Sequence, residues 1–169
     1  TLLLTCCLLN PLLVKASLGF EQPGKYEFVN RGISGNRIVD LYARIKVDAW
    51  NLQPDVLSIL IGVNDIWHEL TAKNGVDIHR FEAVYRMMIA DTKKALPNTK
   101  IVLCEPFVLM GIATQNTENC PNRWEHFCEV YQYAEVVKKL AQEFNLKSIA
   151  IMSTNSKICC NGFSNVPFV

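Results

Sequence analysis

Two short blocks of this sequence combine groups suited to holding negative charge. The first is "NRGISGN", Asn30 to Asn36, whose glycines at 32 and 35 permit positive φ or close backbone approach. An exposed N–H at Gly35 is therefore a candidate donor. The second is "GVND", Gly62 to Asp65, where Asn64 offers two N–H donors on a short side chain. Two donors converging from neighbouring strand tips are what an oxyanion hole requires. Removing one typically costs roughly 2.7–4 kcal/mol of transition-state stabilisation. Such a device needs a nucleophile and a base nearby, and four further residues are candidates for the same pocket: Ser34, Asp65, His68 and Glu105.

Each of these has a plainer role as well. Ser34 in "GISGN" is similar to a nucleophile elbow, but Asn36 replaces the last glycine of Gly-x-Ser-x-Gly. A loop hydroxyl bonding locally is the simpler role. Asp65-Ile66-Trp67-His68 has Asp-x-x-His spacing, yet Asp65 belongs to the Asn-Asp block. His68 is accordingly read as a loop histidine at the pocket rim, with a displaced catalytic base as the sharper alternative. Glu105 either lines the pocket or serves a turn or helix cap. His79 and His126 fall in helical patterns and are read as surface or cap residues.

The elements that must position these groups alternate. Strands are expected at Lys25–Asn30, Val56–Ile61, Lys100–Pro106 and Leu146–Met152. Between the first two, Ile38, Leu41, Tyr42, Ile45, Ala49 and Leu52 recur at helical spacing and Pro54 stops the run. Asp77 is a plausible N-cap for a helix lined by Ile78, Phe81, Tyr85, Met88, Ile89 and Leu96. A third long helix is expected from Asn122, with Trp124, Phe127, Tyr131, Val137 and Phe144 on one side. Strands separated by such helices imply right-handed crossovers and a mostly parallel sheet with helices on both faces. Functional groups then gather in the loops at the carboxyl ends of the strands.

The two blocks resemble those of the SGNH (or GDSL) ester hydrolase family, whose four blocks contribute Ser, Gly, Asn and His. "NRGISGNRIVDLYARI" is similar to the second block, with Gly35 in the place of the oxyanion glycine. "LSILIGVNDIW" is similar to the third, with Asn64 in the place of the oxyanion asparagine. The resemblance covers about residues 11 to 150. It implies a three-layer flavodoxin-like α/β fold and hydrolysis of small or carbohydrate-linked acyl esters without a cofactor. The sequence departs from the family at both ends. It contains no Gly-Asp-Ser, and residues 153–169 hold neither Asp nor His where the family has Asp-x-x-His.

The expectation is thus a partial domain over residues 11–152, with its first strand missing. An unmatched apolar segment, 1–10, and an unmatched tail, 153–169, flank it. The chain as written is expected to be inactive, from an incomplete or mis-joined reading of an esterase gene. The alternative is a non-catalytic α/β module that binds acyl or sugar ligands. A nucleotide-binding reading has only the fold pattern behind it, since neither Gly-x-Gly-x-x-Gly nor Gly-Lys-Ser/Thr occurs.

Bulk composition fits one domain. The chain has 169 residues, half of them hydrophobic and 20% charged, with net charge +1 and no basic run beyond two lysine pairs. Nothing in that pattern asks for nucleic acid or an anionic membrane. "TLLLTCCLLN" resembles the middle of a signal peptide but lacks its flanks, and it is too short to span a bilayer. Among seven cysteines, Cys120 and Cys128 flank His126 without a fourth ligand at zinc-like spacing. No metal is expected. The cysteines are read as free thiols in a reducing compartment, which favours the cytoplasm, and oligomeric state is left open.

Overall fold

Apolar runs of about five residues have nowhere to hide a polar face, so they become strands covered on both sides. The computed structural model describes residues 26–151 and the backbone of residues 2–6. It contains β1 (Leu2–Cys6), β2 (Glu27–Asn30), β3 (Val56–Leu60), β4 (Lys100–Cys104) and β5 (Lys147–Ile149). All pairings are parallel and the spatial order is β2-β1-β3-β4-β5. Thr5 stands opposite Asn30 on one side and Ser58 on the other, and Leu57 stands opposite Ile101.

This arrangement corrects one expectation. The first strand is present: Leu2–Cys6 lies between β2 and β3. Five consecutive residues suffice for a strand, and "LLLTC" has the right character. Its identity was hidden because the expected Gly-Asp-Ser does not follow it.

The helices follow the apolar stripes. α1 (Ile38–Asp48) buries Ile38, Leu41 and Ile45, and a short 3₁₀ turn at Trp50–Leu52 follows it. α2 (Val63–Ala72) starts after only two intervening residues beyond β3, and it includes His68, which was expected in a loop. Gly62 makes that reversal possible, with φ of +133°. A Cβ there would lie 3.0 Å from Pro106 Cγ. α3 (Ile78–Ala95) is capped by Asp77, whose carboxylate accepts from the His79 and Arg80 N–H groups at 3.1 and 3.0 Å. The expected third long helix is two pieces, α4 (Arg123–Cys128) and α5 (Val130–Glu143). They join at Glu129, whose N–H bonds three residues back to the His126 carbonyl at 3.1 Å, a tighter turn than the α-helix makes.

α3 packs between α1 and α5. Phe81, Tyr85, Met88 and Ile89 are fully buried there, with Leu57, Ile59, Leu103, Phe127 and Val137 in the same core. Polar ties complete the row. The Tyr42 hydroxyl donates to Asp91 at 2.7 Å, the Trp50 indole to Thr92 at 3.0 Å, and Arg86 to Glu143 at 2.8 Å. Cys104 and Cys120 carry free thiols, but Cys128 is disulfide-bonded, so the all-thiol expectation does not hold for it. Among the described residues no helix is long and apolar enough to cross a membrane.

Candidate active site

The sheet order brings the carboxyl ends of β2 and β3 to either side of β1, at the point where strand order reverses. In open α/β sheets that is the customary place for ligands. The chain leaving β2 forms a turn in which the Asn36 N–H donates to the Ile33 carbonyl at 3.3 Å. Gly35 occupies its third position with φ of +87°, while Ser34 keeps a negative φ. This is a type II turn, which favours glycine at that place. The Gly35 N–H has no acceptor among the described residues.

The segment after this turn is held from one side by α2. His68 Nε2 lies 2.9 Å from the Gly35 carbonyl oxygen. Asn64 Nδ2 donates to the Asn36 carbonyl at 3.1 Å. Asp65 Oδ1 accepts from the Ile38 N–H at 3.1 Å. α1 supplies the rest: Asp40 Oδ2 accepts the Arg37 N–H at 2.9 Å, and the Leu41 N–H donates to the Arg37 carbonyl at 3.0 Å. Three consecutive peptide groups, 35–36, 36–37 and 37–38, thus have both their N–H and their C=O occupied. The peptide just before them carries the Gly35 N–H.

Charge is arranged around this loop with care for desolvation. Arg37 bonds Asp40 through Nε at 2.9 Å, which holds the Asp40 carboxyl below its ordinary range, and its guanidinium also reaches the Asn74 carbonyl. Asp65 is different. It is 1% exposed, and its Oδ2 has no partner among the described residues. Burial pushes its pKa up to about 7, against the opposing pull of the Ile38 N–H and, more weakly, of the Arg37 charge. Asp65 also lines a cavity of about 290 Å³ with Glu69, Asp77, His126, Glu129 and Tyr133, residues that no sequence argument had grouped.

The six sequence-derived site residues do not all meet. Gly35, Asn64, Asp65 and His68 converge on the loop. Ser34 is exposed in the turn. Glu105 makes its contacts elsewhere, with its backbone N–H on the Ile149 carbonyl at 2.9 Å and its carboxylate 3.5 Å from Lys138 of α5. His68 belongs to a helix, one turn after Asn64, and not to a loop. Its Nε2 faces a carbonyl oxygen, which can only accept, so Nε2 carries the hydrogen. The grips of His68 and Asp65, and the role of Arg37, were missed. The i, i+4 spacing of Asn64 and His68 was a usable signal once α2 is taken to start directly after Gly62. His79 and His126 are exposed, the latter 3.0 Å from Glu129.

The profile of the GDSL-like lipase/acylhydrolase family matches residues 13–162. This chain belongs to that family. An acetylxylan esterase of Geobacillus stearothermophilus is 36% identical over 121 residues, which make up 69% of this chain and 50% of the relative. The chain therefore spans about half the length of the curated relative it matches. Among solved structures, an acetyl xylan esterase superposes with a TM-score of 0.74 at 26% identity, covering 95% of this chain and 84% of that one. An acetylxylan esterase structure from G. stearothermophilus superposes at 0.64 with 27% identity, covering 88% of this chain and 74% of that one. In that esterase, alanine in place of a serine, or of an aspartate or histidine in Asp-x-x-His spacing, makes a catalytic mutant. The GDSL-like chain described here thus shares the α/β architecture of these enzymes, and its matched region includes both Gly35 and Asn64.

Proposed function

We propose that this chain carries the oxyanion-stabilising part of a carboxylic ester hydrolase site for acyl esters of small molecules or carbohydrates. The observation that carries the reading is the 3.1 Å bond from Asn64 to the Asn36 carbonyl, which sets the carboxamide one residue from Gly35. One Asn64 N–H is used in that bond and the other has no acceptor among the described residues. When a nucleophile adds to an ester carbonyl, its oxygen becomes an alkoxide. The Gly35 N–H and the second Asn64 N–H are the donors that stabilise it. Acetylxylan esterases among the relatives favour acetylated sugars as the substrate class.

The proton-transfer groups are a separate matter. The sequence has no Gly-Asp-Ser and no terminal Asp-x-x-His. His68, whose Nε2–H is committed to Gly35, makes a poor substitute for the base. Where a serine hydrolase loses nucleophile or base, turnover falls on the order of a millionfold and roughly 10³–10⁴ over water remains. The 169-residue chain should then hydrolyse p-nitrophenyl acetate near background. A version whose residues 1–10 and 153–169 are exchanged for the Ser and Asp-x-x-His blocks of a relative should be active. Asn64→Ala in that version should lower kcat roughly 10²–10³-fold. A folded, active exchange protein indifferent to Asn64→Ala would overturn the reading.

A second reading is favoured by the same missing motifs: a non-catalytic module that binds acyl or sugar ligands. Calorimetric titration of the unmodified chain with acetylated xylo-oligosaccharide separates the two. Saturable binding with no acetate release favours the module, and no heat at all dismisses it.

A further inference from the structure

We infer that His68 is a positioning residue that holds the peptide following Gly35, and through it the direction of the Gly35 N–H. The inference rests on the oxyanion reading above and deepens it. The peptide group joining Gly35 to Asn36 is gripped at both ends. Its carbonyl faces His68 Nε2 at 2.9 Å, and its N–H donates to the Ile33 carbonyl at 3.3 Å. Without His68, among the described residues only the 3.3 Å turn bond would restrain this plane. The next two peptides are held by Asn64, Asp40, Leu41 and Asp65 irrespective of His68. His68 therefore controls the one link between that anchored segment and the free donor.

The geometry also says how the control works. Gly35 has φ of +87°, in the left-handed region that glycine tolerates. A type II turn converts to type I by rotation of its central peptide, here the one between Ser34 and Gly35, which reverses the Gly35 N–H. With the 35–36 plane fixed, that rotation must be absorbed entirely at Ser34 ψ and Gly35 φ. When the plane is loose, the flip can spread over neighbouring torsions, and the N–H samples the wrong side. His68 does this without touching a reacting atom. A side chain at Gly35 would have room, with its Cβ 4.0 Å from His68 Nε2, but would be strained by a backbone that L-residues rarely adopt. The carbonyl partner dictates the Nε2–H tautomer, and an imidazolium would keep the same bond.

The test uses the unmodified full chain and reads the Asn36 amide, which shares its peptide with the Gly35 carbonyl. Long-range nitrogen–proton correlation should find the Nε2–H tautomer at His68. His68→Ala should speed Asn36 amide exchange about tenfold while the α3 core amides keep their protection. His68→Gln, whose terminal amide can replace the Nε2 donor, should restore slow exchange, and a merely space-filling role would not respond to that rescue. A dominant Nδ1–H tautomer, or unchanged Asn36 exchange in a folded His68→Ala protein, overturns the inference. The tautomer measurement needs no variant, so misfolding cannot shelter the idea. The Asn64→Ala assay in the exchange protein judges the oxyanion reading separately: loss of activity there with an indifferent His68→Ala retires only the inference.

Discussion

Asn64 and His68 stand one turn apart on α2, and their side chains grip adjacent carbonyl oxygens, those of Asn36 and Gly35, at 3.1 and 2.9 Å. One helix face thereby fixes a carboxamide and steadies the loop that holds Gly35. Asn64→Ala is expected to remove the proposed oxyanion donor and a loop anchor together. Beyond the loss of turnover in the exchange protein, it should lower the unfolding free energy of the unmodified chain by about 1 kcal/mol. Urea denaturation with an unchanged m-value would record it.

Asp65 predicts a pH dependence of opposite sign to that of most carboxylates. Its folded-state pKa is raised from 3.8 to about 7 by burial, so between those values the native state keeps a proton that the unfolded chain has released. Stability should therefore fall as pH rises through that window, by on the order of a few kcal/mol at most. Asp65→Asn keeps an acceptor for the Ile38 N–H and cannot ionise. Its denaturation midpoint should lose this slope, and a slope equal to wild type would show that the burial cost of Asp65 is not the cause.

How much of this was legible beforehand depends on sequence distance. The buried stripe Ile38, Leu41, Ile45 and the cap at Asp77 are local patterns, and the structure has both. Gly35 and Asn64 were singled out from the blocks around them, and the structure brings both to one loop. The grip of Asp65 on Ile38 spans 27 residues and that of His68 on Gly35 spans 33, and no periodicity encodes such meetings. Strand β1 was hidden for another reason: an isolated apolar pentamer fits a strand and a signal-peptide core equally well, and only its neighbours in the sheet decide. The break at Glu129 was invisible because the apolar stripe runs on through it.

Gly62→Ala should be among the costliest small changes in the chain. The added Cβ would meet Pro106 at 3.0 and 3.2 Å and Phe81 at 3.4 Å, on a φ of +133°. A loss of about 2–4 kcal/mol is expected from strain and contact together. Adding Pro106→Ala should recover the contact part only, so a full recovery in the double variant would mean that backbone strain contributes nothing.

Asp77→Ala tests a purely structural role. Two helix N–H groups lose their acceptor, with an expected cost of about 1 kcal/mol. Activity of the exchange protein should be unchanged. Any effect on turnover would tie the start of α3 to the site through contacts other than its cap.

The three grips from α2 have a consequence for how such a protein ages. β2 and β3 are not neighbours in the sheet, since β1 lies between them, so the contacts of Asn64, Asp65 and His68 with residues 35–38 act as a weld across that gap. Active-site polar groups in many enzymes are held at a loss, and replacing them yields a sturdier protein. Here Asn64, proposed above as a donor, is also a joint. A copy released from any need to turn over substrate would still shed stability by altering them. Asn64, Asp65 and His68 should therefore matter for folding whether or not the chain turns over substrate.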